Sequence, residues 1–111
     1  MAGKFVLKTA KDGQFMFNLK AGNGEVILTS ELYRSKDSAE NGIESVRKNA
    51  PDINRFEIRE NSKGEPYFIL KAANHQEIGR SEYYSSKAAA ENGIKSVQNN
   101  APDAKVVDET A

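Results

Sequence analysis

The stretch Ser35–Asp52, SKDSAENGIESVRKNAPD, returns as Ser86–Asp103, SKAAAENGIKSVQNNAPD. Each copy carries a helix start, an apolar stripe and a stop. Ser35 and Ser86 are placed to cap, because a serine oxygen can accept a hydrogen bond from an unpaired first-turn amide. Ala39, Ile43, Val46 and Ala50 recur at helical spacing, as do Ala90, Ile94, Val97 and Ala101, so each helix has one face for a sheet. Glu44–Lys48 and Glu91–Lys95 are expected as i,i+4 ion pairs on the wet side. Asn49 and Asn100 suit a left-handed terminal position, and Pro51 and Pro102 prevent continuation.

The duplication extends beyond the helices. A shift of 51 residues lays Lys4–Asp52 on Arg55–Asp103 without a gap, and 24 of the 49 aligned pairs are identical. Two copies are too few for a solenoid. They fit a pseudo-symmetric domain in which the copies sit as the subunits of a dimer would. Only Ile53, Asn54 and Arg55 separate the Pro51-Asp52 stop from Phe56. The chain is therefore read as one folding unit over residues 1–111, with repeats at 4–52 and 55–103 and a short final strand and flexible tail over 104–111.

Each copy opens with three short strands. Lys4–Lys8 alternates in polarity, as does Phe15–Lys20, in which Phe15, Phe17 and Leu19 share a face. Asp12-Gly13 marks the first turn and Gly22-Asn23-Gly24 the second. Glu25–Ser30 is β-branched and forms the third strand. The second copy repeats the plan with Phe56–Arg59, Tyr67–Lys71 and Glu77–Ser81. Pro66 cannot donate to a ladder and belongs at a strand start or an unpaired edge. Lys105-Val106-Val107 aligns with Asn54-Arg55-Phe56 and is expected to form a short last strand.

Sixteen basic and sixteen acidic side chains balance, which argues against binding nucleic acid through bulk charge. With no cysteine, disulfides, thiolate catalysis and cysteine-ligated zinc are excluded together. No apolar run approaches a membrane span. Asp12, Gly13 and Gln14 interrupt the region where a signal peptide needs continuous apolar residues. A cytoplasmic protein without a membrane partner is expected.

The β-β-β-α plan ending in S-K-x-x-A-E-N-G-I-x-S-V, present twice, resembles the YegP-like family of small uncharacterised bacterial proteins. The resemblance covers almost the whole chain. It implies two β3-α-β units sharing one antiparallel sheet, with the C-terminal strands exchanged between units. Phe56–Arg59 and Lys105–Val107 are the candidates for those strands. The resemblance brings no enzyme activity, cofactor or site with it.

The most polar repeated segment leads into each helix. Glu31, Tyr33, Ser35 and Lys36 in the first copy match Glu82, Tyr84, Ser86 and Lys87 in the second. Amides at a helix N-terminus beside a lysine suit an anion. The competing structural reading has the serine as cap, the glutamate receiving loop amides and the tyrosine ring under the helix. Asn41 and Asn92, poor helix formers, suggest side-chain bonds to a neighbouring loop or a binding amide. Gly42 and Gly93 suggest close approach of the helix to the sheet or to a ring. His75 is a lone turn histidine, which cannot supply the three ligands of a catalytic zinc. No nucleophile elbow, P-loop or dinucleotide fingerprint is present. The sheet face away from the helices, with Val6, Met16, Asn18, Tyr67 and Ile69, is expected to be open, to a protein or to single-stranded bases.

The expected fold is α+β: tandem β-β-β-α(-β) repeats, one shared antiparallel sheet and both helices on one face. The core is expected from Phe5, Leu7, Phe17, Leu19, Ile27, Ala39, Ile43 and Val46, with Phe56, Ile58, Phe68, Leu70, Ile78, Ala90, Ile94 and Val97. The sequence names no specific function; the expected class is a non-enzymatic binding or interaction module, with a protein as a candidate partner whose identity the sequence does not give. The alternatives are an anionic-ligand binder using the strand-to-helix loops and a single-stranded nucleic-acid binder. No cofactor or metal is expected. A monomer is expected, because the tandem repeat supplies the pseudo-dimer.

Overall fold

Each repeat folds as a three-stranded meander followed by a helix. In the computed structural model, which describes residues 3–110, the strands are β1 (Lys4–Thr9), β2 (Phe15–Lys20), β3 (Val26–Ser30), β4 (Phe56–Glu60), β5 (Pro66–Lys71), β6 (Glu77–Arg80) and β7 (Lys105–Asp108). The helices are α1 (Lys36–Asn49) and α2 (Lys87–Asn100). Ala111, the end of the expected tail, and residues 1–2 lie outside the described residues. A 3-10 turn, Ile53–Arg55, joins α1 to β4.

The sheet order is β4-β5-β6-β3-β2-β1-β7. The repeats meet where β3 pairs antiparallel with β6, Thr29 opposite Arg80 and Ser30 opposite Gly79. Gly79 is required there: a Cβ would lie 2.7 Å from the Thr29 carbonyl oxygen and 3.3 Å from Leu28 Cγ. Leu28, which occupies the equivalent place in the first repeat, fills the space and is fully buried. Six strands are antiparallel, and β7 adds in parallel to β1, so the sheet is mixed. The last strand of the second repeat thus completes the first.

Both helical stripes and the sheet's inner row form one core, including Phe5, Leu7, Phe17, Leu19, Phe68 and Leu70 against Ile43, Val46, Ile94 and Val97. Burying each of the larger side chains contributes about 1.5–3 kcal/mol. Phe5 meets Phe17 edge-on at 5.8 Å, and Phe56 meets Phe68 in the same way at 5.8 Å. Phe56 and Ile58 are half-buried, however, where their equivalents Phe5 and Leu7 are fully buried.

The helix starts follow the sequence: Ser35 Oγ accepts from the Ser38 amide and Ser86 Oγ from the Ala89 amide, both at 3.1 Å. The stops do not. Asn49 and Asn100 are not left-handed. Ala50 and Ala101 continue the helical turn, with their amides bonded to the Val46 and Val97 carbonyls. The asparagine amides instead donate to the carbonyls of Ser45 and Ser96, each at 2.8 Å. Glu44 pairs with Arg47 instead of Lys48. Arg47 is held there because it also lies over the Phe5 ring, 5.4 Å from its centroid, and donates to the Ala104 carbonyl. Among the described residues Glu91 and Lys95 form no ion pair.

Pro66 begins β5, and the Tyr84 amide donates to its carbonyl at 2.7 Å. In the first repeat Phe15 and Tyr33 exchange both such bonds. The proline retains only the one it can accept. His75 adopts φ 71° where the first repeat has Gly24 at φ 88°.

The far face of the sheet differs from the open surface expected of it. One row crosses it as Val107, Val6, Asn18, Thr29, Arg80, Ile69 and Glu57. Val6 and Ile69 are buried between their row neighbours, and Asn18 is buried with its amide on Thr29 Oγ1 at 3.0 Å. Met16 and Tyr67 are half-buried, Tyr67 against Tyr83 and beneath the Arg80 guanidinium. A flat aromatic platform for stacked bases is therefore absent from the described residues of this face.

Candidate functional site

The polar lead-in to each helix is first a structural joint. Ser30 Oγ accepts from the Phe17 amide at 2.8 Å and donates to the Glu31 carbonyl at 2.8 Å. Ser81 does the same for Phe68 and Glu82, at 2.9 and 2.8 Å. A side-chain oxygen here replaces a missing ladder acceptor in the buried sheet. Beyond the joint, Tyr33 stacks on Phe17 at 6.2 Å and Tyr84 on Phe68 at 6.2 Å. A Cβ on Gly42 or Gly93 would overlap the Tyr33 or Tyr84 hydroxyl. The helix glycines make room for the tyrosine rings, so AENG and the tyrosine form one packing device.

The ten sequence-selected residues do not form one site. Glu31, Tyr33 and Asn41 line a cavity of about 410 Å³ together with Gln76 and Glu77 of the second repeat. Partial desolvation raises the Glu31 carboxyl above its ordinary range, and a hydrogen bond and the charge of Glu77 add to it against the opposing charge of Arg80. Burial raises Tyr33, with the Glu31 charge assisting, and burial likewise raises Tyr84. Asn41 and Asn92 are exposed and make no side-chain hydrogen bond among the described residues, so the expected tie to a loop is not formed. No loop amide donates to the Glu31 or Glu82 side chain in those residues either.

Ser35, Lys36, Ser86 and Lys87 lie at the helix starts and do not line that cavity, although Ser35 is bonded to Ser38, which does, and here the pseudo-symmetry breaks. Lys36 is ion-paired with Asp108 at the end of β7. Lys87 makes no ion pair among the described residues. It borders a groove of about 740 Å³ between β4 and α2, with Phe56, Ile58, Ile94, Lys95 and Gln98. Ile53, at one end, is 57% exposed. In the first repeat the equivalent space between β1 and α1 is the place of β7.

Sequence reasoning selected Lys87 but missed the groove, because it assigned Phe56 and Ile58 to the core. The missed signal lies in the alignment. A shift of 51 residues carries both Lys4–Thr9 and Lys105–Asp108 onto the segment around β4. One segment cannot be the leading strand of the second repeat and also the strand that lies beside it.

Among the described residues, no group of three His, Cys, Asp or Glu side chains is arranged to hold a metal. No helix is long and apolar enough to cross a membrane.

Comparison with known proteins matches the chain twice to the family described as Domain of unknown function (DUF1508), over residues 10–57 and 61–108. Those spans run from the β1–β2 turn into β4 and from the β4–β5 turn through β7. The UPF0339 protein MS1092 of Mannheimia succiniciproducens is 70% identical over 108 residues, covering 97% of this chain and 96% of that protein. The UPF0339 protein YegP of Yersinia pestis is 60% identical over 98 residues, covering 88% of each. The solution structure of yegP from E. coli, a protein of unknown function, superposes with a TM-score of 0.94 at 55% identity, covering 100% of this chain and 96% of that one. UPF0339 protein SO3888 of Shewanella oneidensis gives 0.92 at 54% identity, with coverage of 99% and 93%. With both repeats matched and the fold shared along its length, the chain belongs to the UPF0339, or YegP, family of tandem DUF1508 repeats.

Proposed function

We propose that this protein is a non-enzymatic interaction module that binds a protein partner in the groove between β4 and α2. The observation that carries this reading is the half-exposed pair Phe56 and Ile58 on the terminal strand of the sheet. Their equivalents Phe5 and Leu7 are fully buried beside β7. A strand edge offers unpaired amides and carbonyls, and an apolar groove beside it offers area to bury. Lys87 and Lys95 outweigh Glu91 in the groove's lining, and the net positive charge favours an acidic partner.

The reading is tested by selecting a random displayed-peptide library on the folded chain and, in parallel, on an Ile58→Arg variant verified as folded. Enrichment of a peptide class on the native chain and its loss on the variant are expected. Equal enrichment on both proteins, or none on either, overturns the reading. So does a response to inorganic phosphate at Ser86–Ala88 with no peptide response in the groove, which would assign the loop to small anions.

A further inference from the structure

The tandem arrangement leaves the sheet one strand short, and the strand that would complete it is specified by β7. On the other edge, β7 lies parallel to β1, with Phe5 opposite Val106 and Leu7 opposite Asp108. Paired residues on neighbouring strands point to the same face. Ala104, Val106 and Asp108 are thus on the helix side. Ala104 is 2% exposed, its carbonyl accepts from Arg47, and Asp108 pairs with Lys36. The next amide, Glu109, donates to the Leu7 carbonyl at 2.7 Å.

Every receiving element has a counterpart on the vacant edge. β4 meets β5 in the register in which β1 meets β2: Phe56 opposite Leu70 and Ile58 opposite Phe68, as Phe5 opposite Leu19 and Leu7 opposite Phe17. The Ile58 carbonyl therefore faces away from β5, as the Leu7 carbonyl faces β7. Lys87 stands where Lys36 does, and Gln98 stands where Arg47 does, its amide making only a long 3.5 Å contact with the Pro51 carbonyl. Lys95 replaces Glu44, so the vacant groove has a more positive lining than the filled one. Only six residues separate Asn49 at the end of α1 from Phe56. They hold the 3-10 turn and leave no length for a strand beside β4 and a return.

We infer that the β4 edge takes an extended segment of a partner protein, added in parallel as an eighth strand, of the pattern small-x-apolar-x-acidic. This rests on the interaction-module reading above. The small residue faces Gln98, the apolar residue pairs with Phe56, and the acid pairs with Ile58 and reaches Lys87. Main-chain hydrogen bonds supply affinity in such strand addition, and alternate side chains supply selectivity. A second copy is the poorer occupant. Its own β7 is engaged at β1 within the same chain, and releasing it would forfeit the Lys36 and Arg47 contacts.

The test uses the full chain, isotopically labelled, and the synthetic peptide Asp-Ala-Lys-Val-Val-Asp-Glu-Thr, which copies residues 103–110. Amide shifts at Phe56–Glu60 and Lys87 are expected, with protection of outward-facing β4 amides from exchange. Reversing the acid of the peptide, Asp108→Lys, should weaken binding about five- to tenfold, as loss and reversal of a partly exposed ion pair does. A Lys87→Glu chain should restore binding to the reversed peptide. Four outcomes overturn the inference: no shifts at about 1 mM peptide, shifts confined to Lys4–Leu7 from displacement of β7, charge reversal without effect, or association of the chain with itself at β4. If displayed peptides bind the groove but lack the alternating pattern, the inference fails and the module reading stands. If none binds, both fail.

Discussion

Lys36, the first residue of α1, is ion-paired with Asp108, the last residue of β7, and so ties the end of the second repeat to the helix of the first. Thr110 adds its amide and hydroxyl to Asp108 Oδ1 at 2.9 and 2.6 Å. The two described residues of the expected flexible tail are therefore hydrogen-bonded, Glu109 to Leu7 and Thr110 to Asp108. Lys36 holds the Asp108 carboxyl well below the usual carboxylate range, helped by Thr110. Arg59 and then Lys71 lower Glu57 to about 2. Both folded-state values lie below unfolded values of about 4. Their stabilisation is therefore complete above about pH 4 and is lost as pH falls through the folded values. Urea midpoints should decline from pH 4 towards pH 2, and Asp108→Asn should lower the midpoint at pH 7 and flatten that decline.

Glu31 has the opposite sign. Its folded value is raised, so ionisation disfavours folding, and its favourable contribution is lost as pH rises from the unfolded value through the folded one. Glu31→Gln should raise the melting temperature at pH 7 and leave it unchanged near pH 4. A destabilised Glu31→Gln protein at pH 7 would contradict the account in which desolvation, with Glu77 adding to it, disfavours the charged Glu31.

Gly42 and Gly93 invert a general rule. Alanine normally stabilises a helix interior by about 1 kcal/mol over glycine. Here its methyl meets the Tyr33 or Tyr84 hydroxyl. Gly42→Ala should instead destabilise by about 1–3 kcal/mol, the usual range for overpacking. Adding Tyr33→Phe should recover part of the loss, a non-additivity expected of residues in contact. Chemical denaturation of the two single variants and the double variant measures it.

Ser30→Ala removes the acceptor of the buried Phe17 amide. A cost of about 1–3 kcal/mol is expected, because the amide is left unpaired away from water. Ser81→Ala should behave alike through Phe68. Equal denaturation midpoints for Ser30→Ala and the native chain would show that water replaces the hydroxyl.

Leu7 and Ile58 are equivalent by the repeat but not by environment. Leu7→Ala should cost about 2–5 kcal/mol, and Ile58→Ala roughly half as much, because its site is already open on one side. Equal costs would mean that the β4 edge is covered in solution.

The repeat, the strands, the caps and the apolar stripes were legible in the sequence because each depends on local spacing. Alternation sets which strand residues face inwards, serine stereochemistry sets the caps, and the glycines that receive Tyr33 and Tyr84 recur at the same offset. The helix ends and the Glu44 ion pair were misread because competing partners, the Ser45 carbonyl and a pre-positioned Arg47, outweigh local preference. Val6 and Ile69 are buried on the far face because each lies between two row neighbours, Val6 between Asn18 and Val107 and Ile69 between Arg80 and Glu57, and of these only Val107 comes from a strand distant in sequence. The asymmetry of the edges is likewise tertiary. Sequence determined that the halves are copies. The family resemblance implied the crossing of the last strand to the first repeat, and β7 does cross to β1; only the folded chain decided that it joins in parallel, that Lys36 acquires Asp108, and that Lys87, Phe56 and Ile58 are left without the corresponding strand. The physical reason is connectivity: a six-residue link from α1 to β4 is long enough for a turn and too short for the additional strand.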